Sequence, residues 1–537
     1  MHSLWHLLGL KDTRRSEKAL FFSTIGLLIA LIGVGLSDPN LLNNTLNGAF
    51  DWVLSSFGWW FILLGFVLSV ITIFLVFSRY GDLRIGGPDA KPEFDVFSWF
   101  AMVFTVGFTS SVIFWGVAEP VSIVNSPPPE PIPIAGASIE SLSLAFMYLH
   151  NILPGLIAWY LPFALAFGII VYTRGVEQYK ISSMLEPLLD RDEYGWLFWI
   201  VDLAALVAII GGLSTSLGAT GQQLAGVLSG VFGFESSLLT YGLFALIGAV
   251  FLGDVWLGLR SGIRNAARAT VVLVLLFFAI LVVVGPTMFI LNVGLDSLGI
   301  WLDNLIRLSL YSAPTNGGTW PQQWTSFWWA WWCAWGIFVG SFVARVSKGR
   351  TVKETFVVLG VAPAILLWVQ HAIIGGWALS PGNLEAITTA MNESGYPAAF
   401  AAGLLNTPLT GLLGIISVLM LSGYLITSLD SAVFMLASIT LGTEEPNARN
   451  RAWWGVLLAA LGIMTLELPG ARALEAFSAV LALPFTVFIL AIIYATFVAA
   501  REHFVNDLDV ETDTLLTRKE AGTKSGLKTD SSAPQDD

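Results

Sequence analysis

Residues 324–351 read WTSFWWAWWCAWGIFVGSFVARVSKGRT, and this stretch decides the fold. Its apolar part runs to Ala344 and is followed at once by Arg345, Lys348 and Arg350. A helix that crosses the hydrocarbon core of a bilayer needs about 20 mainly apolar residues. The stretch therefore predicts a membrane-spanning helix that ends at a charged edge of the membrane.

One face of this helix carries tryptophans at the spacing i, i+3, i+4 and i+7, which brings them together on one side. Indole faces stacked in the membrane interior attract a quaternary ammonium group through the ring quadrupole. A tryptophan face can also be simple packing, so both interpretations stay open at this point. The residues are Trp328, Trp331, Trp332 and Trp335.

The composition fits a chain surrounded by lipid. Of its 537 residues, 55% are hydrophobic and 12% are charged, whereas soluble domains carry about 25% charged residues. The single cysteine, Cys333, excludes a disulfide framework, and the five histidines show no metal-ligand spacing. We therefore expect membrane lipid as a partner, no nucleic-acid partner and no metal cofactor beyond a coupling ion.

Apolar runs long enough to cross a core of about 30 Å occur along the whole chain. They predict an all-α membrane protein with twelve transmembrane helices, of which the fifth and tenth are long enough to tilt or contain breaks. The predicted spans are residues 19–36, 53–77, 95–118, 142–172, 197–230, 237–253, 267–292, 323–345, 354–378, 409–441, 451–467 and 473–499.

Basic residues indicate the orientation of these spans. If the N-terminus lies inside, all of the 26 lysines and arginines except Arg307 and Arg472 fall on the inner side, as the positive-inside rule requires. This predicts a multi-pass protein of the cell membrane with both termini in the cytoplasm. We expect residues 1–18 to form an N-terminal tail, residues 19–500 the transmembrane domain, and residues 501–537 a mostly disordered C-terminal tail.

One outer loop carries a further prediction. The segment Leu298–Leu310 is amphipathic, which favours an interfacial helix over an ordinary loop.

Several segments resemble one family. The tryptophan helix and its basic end, through Thr351, are similar to the signature helix of the betaine/choline/carnitine transporter family. The segments 78–94 (SRYGDLRIGGPDAKPEF), 114–120 (FWGVAEP) and 427–431 (TSLDS) resemble further motifs of that family in the same order. The resemblance covers essentially the whole chain and implies a transporter of small solutes.

The resemblance also implies an architecture. It is a leucine-transporter-type fold in which helices 3–7 and 8–12 form two inverted five-helix repeats after two extra helices. Such folds bind substrate near the midplane, beside broken helices. The corresponding break candidates are Gly107–Ser111 in helix 3 and Gly336–Gly340 in helix 8. Members of the family often form trimers, so a homotrimer is the oligomeric state that the resemblance implies.

The residues of an aromatic substrate box follow from the same resemblance. Helix 8 supplies Trp329, Trp331, Trp332 and Trp335, and helix 4 supplies Tyr160. Gly107 and Ser111 contribute from helix 3, where hydroxyl groups could hydrogen-bond the acidic end of a zwitterion. The members of this predicted box are Trp331, Trp332, Trp335, Tyr160, Trp329, Gly107 and Ser111.

Helix 4 departs from the family pattern. Counting back from Tyr160 places Ile152 and Ile157 where two further box tryptophans are expected. A small alignment shift would recruit Tyr148 or Trp159 instead. Glycine betaine is the default substrate. Because fewer indoles hold a trimethylammonium group less well, dimethylsulfoniopropionate, ectoine, taurine and other zwitterions stay open.

Polar residues in helix 10 mark a candidate ion site. Thr427, Ser428 and Asp430 interrupt an apolar helix, where each needs a partner. Hydroxyl oxygens suit a hard cation, although they can also bond back to their own helix. The resemblance implies sodium, bound by Thr427 and Ser428 with backbone carbonyls near Thr105 and Phe108.

A second candidate ion site lies in helix 5, where Thr215 and Ser216 would face Phe338 of helix 8. Other ionisable groups receive no catalytic role. Glu119 is expected near a helix end in contact with water, and His150 as a satisfied core residue. With no nucleophile, base pair or metal cluster in view, the chain is predicted not to be an enzyme.

These observations predict a secondary active transporter that imports a betaine-like or zwitterionic compatible solute. Sodium symport with alternating access is the expected mechanism, with Na+ as the coupling ion. The alternatives are a proton-coupled symporter and an ion-independent exchanger of quaternary ammonium compounds.

Overall fold

A computed structural model gives the structure and describes residues 2–11, 13–107, 110–129, 136–234, 237–257, 262–315, 319–468 and 471–526. Helices occupy most of these ranges, since apolar segments in lipid must satisfy their own backbone groups. Each predicted span overlaps helix, but the seventh, 267–292, is interrupted at residues 285–286, and the third includes residues 108–109, which lie outside the described ones. The helices are α1 (Arg15–Ser37), α2 (Pro39–Phe77), α3 (Val96–Gly107 and Ser110–Asn125), α4 (Ile139–Thr173), α5 (Gly195–Phe232), α6 (Ser237–Leu257), α7 (Gly262–Val284), α8 (Gln322–Val346), α9 (Val352–Leu379), α10 (Thr410–Leu441), α11 (Ala448–Leu466) and α12 (Ala471–Gly526).

The lengths and composition of these helices suit a membrane. Within the described ranges, nine helices are long and apolar enough to cross a bilayer. The other three are α3, which is described in two pieces, α6, whose apolar stretch is the shorter Tyr241–Gly253, and α11, which begins with the polar sequence ARNR. The prediction of an all-helical, multi-span membrane protein is confirmed. The inverted repeat stays a prediction.

The two predicted helix breaks have different outcomes. Helix α3 is described up to Gly107 and again from Ser110, and Phe108 lies outside the described residues. The predicted break at Gly336–Gly340 is wrong, because α8 is continuous from Phe327 to Val346. A Cβ atom on Gly336 would collide with the Trp159 carbonyl. These glycines therefore permit close packing of α4 against α8.

Helix α4 is irregular where α8 is straight. It is a regular helix over Ile139–Asn151 and is then kinked over Ile152–Leu156. Inside the kink, Leu153 and Gly155 leave the helical backbone region, and Pro154 has no N–H to donate. Because the helical backbone is broken there, side chains beyond the kink are rotated relative to a regular helix.

The C-terminal ends of α2 and α8 and the N-terminal end of α3 are fixed to one another. The loop after α2 pairs with the segment after α8, through Ile85 N–H to the Arg350 carbonyl at 2.9 Å and Val352 N–H to the Leu83 carbonyl at 2.9 Å. Trp99 of α3 donates its indole N–H to Ser347 at 2.9 Å. Two of the segments that resemble family motifs thus come together at one end of the bundle.

Two segments outside the spans complete the fold. The predicted helix near Leu298–Leu310 is confirmed as helix, over Thr287–Asp303 and Leu305–Ser309. Helix α12 continues to Gly526, and the mostly disordered C-terminal tail stays a prediction.

Candidate substrate and ion sites

Three predicted box residues from three helices meet at one point. The Tyr160 hydroxyl donates a hydrogen bond to the Gly107 carbonyl at 2.7 Å. The Tyr160 ring lies edge-on to the Trp332 indole, with ring centroids 4.9 Å apart and planes at 77°. A Cβ atom on Gly107 would lie 2.9 Å from Tyr160 Cε2. Glycine at this position therefore allows α3, α4 and α8 to converge.

The indoles of Trp331 and Trp332 differ in their contacts within the protein. Trp332 Nε1 donates to the His150 carbonyl at 2.6 Å, which fixes its ring. Trp331 stacks on Phe327 at 5.8 Å with planes at 15°. Its Nε1 is buried and has no hydrogen-bond partner among the described residues. Since a buried N–H without a partner is costly, this donor is suited to a polar group of a bound solute.

Trp335 and Trp329 lie away from this meeting point. Trp335 donates its indole N–H to the Gly212 carbonyl of α5 at 3.1 Å and packs against Phe338 at 4.8 Å. Trp329 faces α2, where a Cβ atom on Gly65 would lie 3.1 Å from its Nε1. The predicted place of Trp329 in the box is thus corrected. It follows Trp328 directly, and one residue rotates a helix by about 100°.

Among the described residues of α4, Tyr160 provides the aromatic ring that contacts the Trp332 ring. The two isoleucines that replace expected tryptophans, Ile152 and Ile157, are both buried. The Tyr148 hydroxyl donates to the Gly294 carbonyl of the helix Thr287–Asp303 at 3.3 Å. An alignment shift that brings Tyr148 into the box is therefore not supported. The Ser111 side chain lies outside the described residues.

A small cavity lies between α5, α8 and α10. Ser216, Thr220, Ser428 and Trp335 are among the residues around it, and the surface that faces the space is apolar. The space is about that of one water molecule. Ser216 donates to the Gly212 carbonyl at 3.1 Å, whereas the buried Ser428 hydroxyl has no hydrogen-bond partner among the described residues. Hydroxyl oxygens are ligands that suit a hard cation.

The hydroxyls of two other residues at the predicted ion site bond within their own helices. Thr427 Oγ1 donates to the carbonyls of Gly423 at 3.0 Å and Tyr424 at 3.1 Å. Thr105 Oγ1 donates to the Ala101 carbonyl at 2.8 Å, and the Thr105 backbone carbonyl stays a predicted ligand. Phe108 lies outside the described residues. The structure thus turns Ser428 toward α5, while Thr427 makes the alternative bonds to its own helix.

The structure separates the two residues of the predicted pair in α5. Thr215 Oγ1 donates to the Leu474 carbonyl of α12 and is absent from the cavity lining. Ser216, the other predicted residue, lines the cavity one helical turn before Thr220. Phe338 packs behind Trp335 and does not line the cavity. Packing against α12 sets this rotation of α5, and the residue pattern alone does not reveal it.

Glu119 and His150 form a buried pair that the sequence analysis missed. Both side chains are fully buried, and His150 Nδ1 lies 2.6 Å from Glu119 Oε1. The expectation that Glu119 meets water is wrong, because α3 extends to Asn125 and carries Glu119 inside. The available signal was the charge itself, since an ionisable residue within a span requires a partner.

The fold and these sites define a class: a multi-span membrane transporter with aromatic rings and buried hydroxyls inside its helix bundle. The sequence profile described as "BCCT, betaine/carnitine/choline family transporter" matches residues 19–505. The chain belongs to this family of transporters and is not an enzyme.

Characterised relatives cover nearly the same length. The glycine betaine transporter OpuD of Bacillus subtilis (strain 168) is 32% identical over 88% of this chain and 93% of its own length. The ectoine/hydroxyectoine transporter of Virgibacillus pantothenticus is 31% identical over 88% and 94%. The betaine/ectoine transporter LcoP of Corynebacterium glutamicum is 28% identical over 92% and 78%.

Proposed function

We propose that this protein imports glycine betaine or a similar zwitterion by sodium symport with alternating access. The observation that carries the proposal is the convergence of Trp332, Tyr160 and the Gly107 carbonyl, together with the buried indole N–H of Trp331, which lies on the same helix as Trp332 and has no hydrogen-bond partner among the described residues. This arrangement offers aromatic rings for a cation and a hydrogen-bond donor for an anion within one buried region.

The chemistry of a betaine matches both parts. Its trimethylammonium group is attracted to aromatic faces and is bulky and weakly hydrated, which suits Trp332 and Tyr160. Its carboxylate can accept the hydrogen bond that Trp331 does not make to protein. The relatives named for glycine betaine and for ectoine support this class of solute.

The coupling ion in this proposal is sodium, bound in the cavity lined by Ser216, Thr220 and Ser428. Trp335 contributes to the wall of that cavity and is one helical turn from Trp331 and Trp332. An ion there would hold α5, α8 and α10 together and restrict Trp335. Because such coupling is reciprocal, solute bound against α8 would in turn strengthen sodium binding.

The sodium gradient would set the direction of transport, so an inward gradient would drive import. The positive-inside rule favours both termini in the cytoplasm.

The test is uptake of labelled glycine betaine into liposomes that contain the purified protein. Three conditions separate the alternatives: an inward sodium gradient, an inward proton gradient, and no gradient with unlabelled solute inside. Symport predicts uptake that depends on the sodium gradient. Uptake driven only by protons, or only by exchange, would replace sodium coupling with the corresponding alternative.

A pair of serine variants in α10 localises the ion. Ser428→Ala removes the unpartnered hydroxyl and should raise the sodium concentration for half-maximal uptake by about tenfold, because a ligand to the ion is lost. Ser417→Ala is the matched control, since Ser417 is also buried in α10 but donates to the Leu413 carbonyl of its own helix at 2.7 Å. Equal sodium dependence in both variants would remove Ser428 from the ion site.

A further inference from the structure

Glu119 of α3 is connected by hydrogen bonds to two other helices. Its Oε1 is 2.6 Å from His150 Nδ1 of α4, and its Oε2 accepts the indole N–H of Trp328 of α8 at 3.0 Å. The second ring nitrogen of His150 lies 3.0 Å from the Thr325 hydroxyl. Both carboxylate oxygens and both ring nitrogens therefore have partners, within a region closed to solvent.

These bonds lead directly to the substrate box. The His150 ring lies nearly parallel to Trp328, with centroids 6.0 Å apart and planes at 21°. Trp328 lies nearly parallel to Trp332 at 6.0 Å and 26°, and Trp332 meets Tyr160 edge-on. The His150 carbonyl also accepts the indole N–H of Trp332. A continuous series of ring contacts therefore runs from Glu119 to Tyr160.

Stability alone does not account for a carboxylate in this position. A buried ion pair is often no more stabilising than apolar side chains of the same volume, because removing the charges from water is costly. The carboxylate instead fixes the orientation of the indole that donates to it. An indole held only by packing can rotate or slide, whereas an N–H bonded to a fixed oxygen cannot do so without breaking a charge-assisted bond.

The need for such orientation is greater in this chain than in the pattern it resembles. Helix α4 presents Ile152 and Ile157 where two further tryptophans are expected. The box therefore depends on the placement of a few α8 indoles, and an error in the angle of Trp332 has no second ring to offset it.

We propose that Glu119 and His150 are positioning residues, which set the orientation of Trp328 and through it of Trp332 for solute binding. This inference rests on the proposed function, since Trp332 is taken as a residue that contacts the solute. A purely structural role would lower the stability of the protein without a selective effect on solute affinity.

The test compares the apparent KM and Vmax of glycine betaine uptake in liposomes for the wild type, Glu119→Gln, Trp328→Phe and the double variant. Glutamine can accept only one of the two hydrogen bonds, and phenylalanine keeps a ring but has no N–H. Each single variant should raise KM by about tenfold with little change in Vmax or melting temperature. The double variant should be no worse than either single variant, because both remove the same interaction.

Asp202→Asn is the matched control. Asp202 is a buried carboxylate near the start of α5 that accepts bonds from the Ser182 backbone N–H at 2.8 Å and hydroxyl at 2.9 Å. It has the same chemistry outside the box, and its replacement should leave KM unchanged.

Each outcome bears on the proposal. A wild-type KM in Glu119→Gln, or effects that multiply in the double variant, would overturn it while leaving the proposed function intact. If Glu119→Gln is not recovered folded, Trp328→Phe decides alone: a raised KM supports the proposal and a wild-type KM overturns it. Absence of uptake by the wild type under every gradient would overturn the proposed function, and this inference with it.

Discussion

Helices α8 and α4 lie against each other, yet they are built in opposite ways. Helix α8 is continuous from Phe327 to Val346 and fully buried, with small residues at Gly336 and Gly340 that face α4. Helix α4 is kinked at Ile152–Leu156, and its predicted box residue, Tyr160, follows the kink. The continuous helix supplies most of the aromatic rings, and the irregular one supplies Tyr160, which meets Trp332.

This difference shows what close packing requires. The glycines of α8 allow the α4 backbone to approach at Trp159 and Phe163, so that Tyr160 reaches both Trp332 and the Gly107 carbonyl. The kink in α4 sets the rotation of the residues after it. The box thus depends on the contact between the two helices as much as on the aromatic residues themselves.

The largest effect is expected from a substitution that disrupts the close contact between α4 and α8. Gly336→Ala places a methyl group against the Trp159 carbonyl, and overpacking of this kind costs about 1–3 kcal/mol. A lower melting temperature and loss of most glycine betaine uptake should follow. Gly26→Ala is the control, because a Cβ atom on Gly26 of α1 meets nothing within 4 Å. If both variants transport equally well, close packing of α4 on α8 is not required.

A smaller effect is expected inside the box. Tyr160→Phe removes the hydroxyl that bonds the Gly107 carbonyl, which costs roughly 1–2 kcal/mol and should raise the KM of uptake by about tenfold. Tyr179→Phe is the matched control, since the buried Tyr179 hydroxyl also donates to a backbone carbonyl, that of Ser341 at 3.3 Å, and Tyr179 is not a box residue. An unchanged KM in Tyr160→Phe, or a comparable rise in Tyr179→Phe, would contradict the assignment of Tyr160.

The helices were predictable because lipid imposes one simple requirement. A span needs a long apolar run, and the alternation of basic loops tests the number of runs. The break in α8 was predicted wrongly because a glycine can serve either a break or a close approach. Only the position of the neighbouring Trp159 carbonyl distinguishes these two uses of Gly336.

Parts of the candidate sites could not be predicted for similar reasons. The partner of Glu119 lies in another helix, and the end of α3 was placed one to two turns too early to bury it. The kink in α4 leaves no periodic pattern in the sequence that would predict it. Whether Thr215 or Ser216 faces α10 depends on how α5 packs against α12, which sets a rotation of one residue.

The central claim is that the rings of α8 and Tyr160 bind a quaternary ammonium group although α4 lacks two expected tryptophans. Calorimetric titration of the purified protein in sodium buffer can test it with two ligands of the same shape, glycine betaine and tert-butylacetate, in which carbon replaces the charged nitrogen. Cation–π attraction in a desolvated site predicts that glycine betaine binds at least about tenfold more tightly. Equal affinity for the two ligands, or no binding of glycine betaine, would contradict the claim.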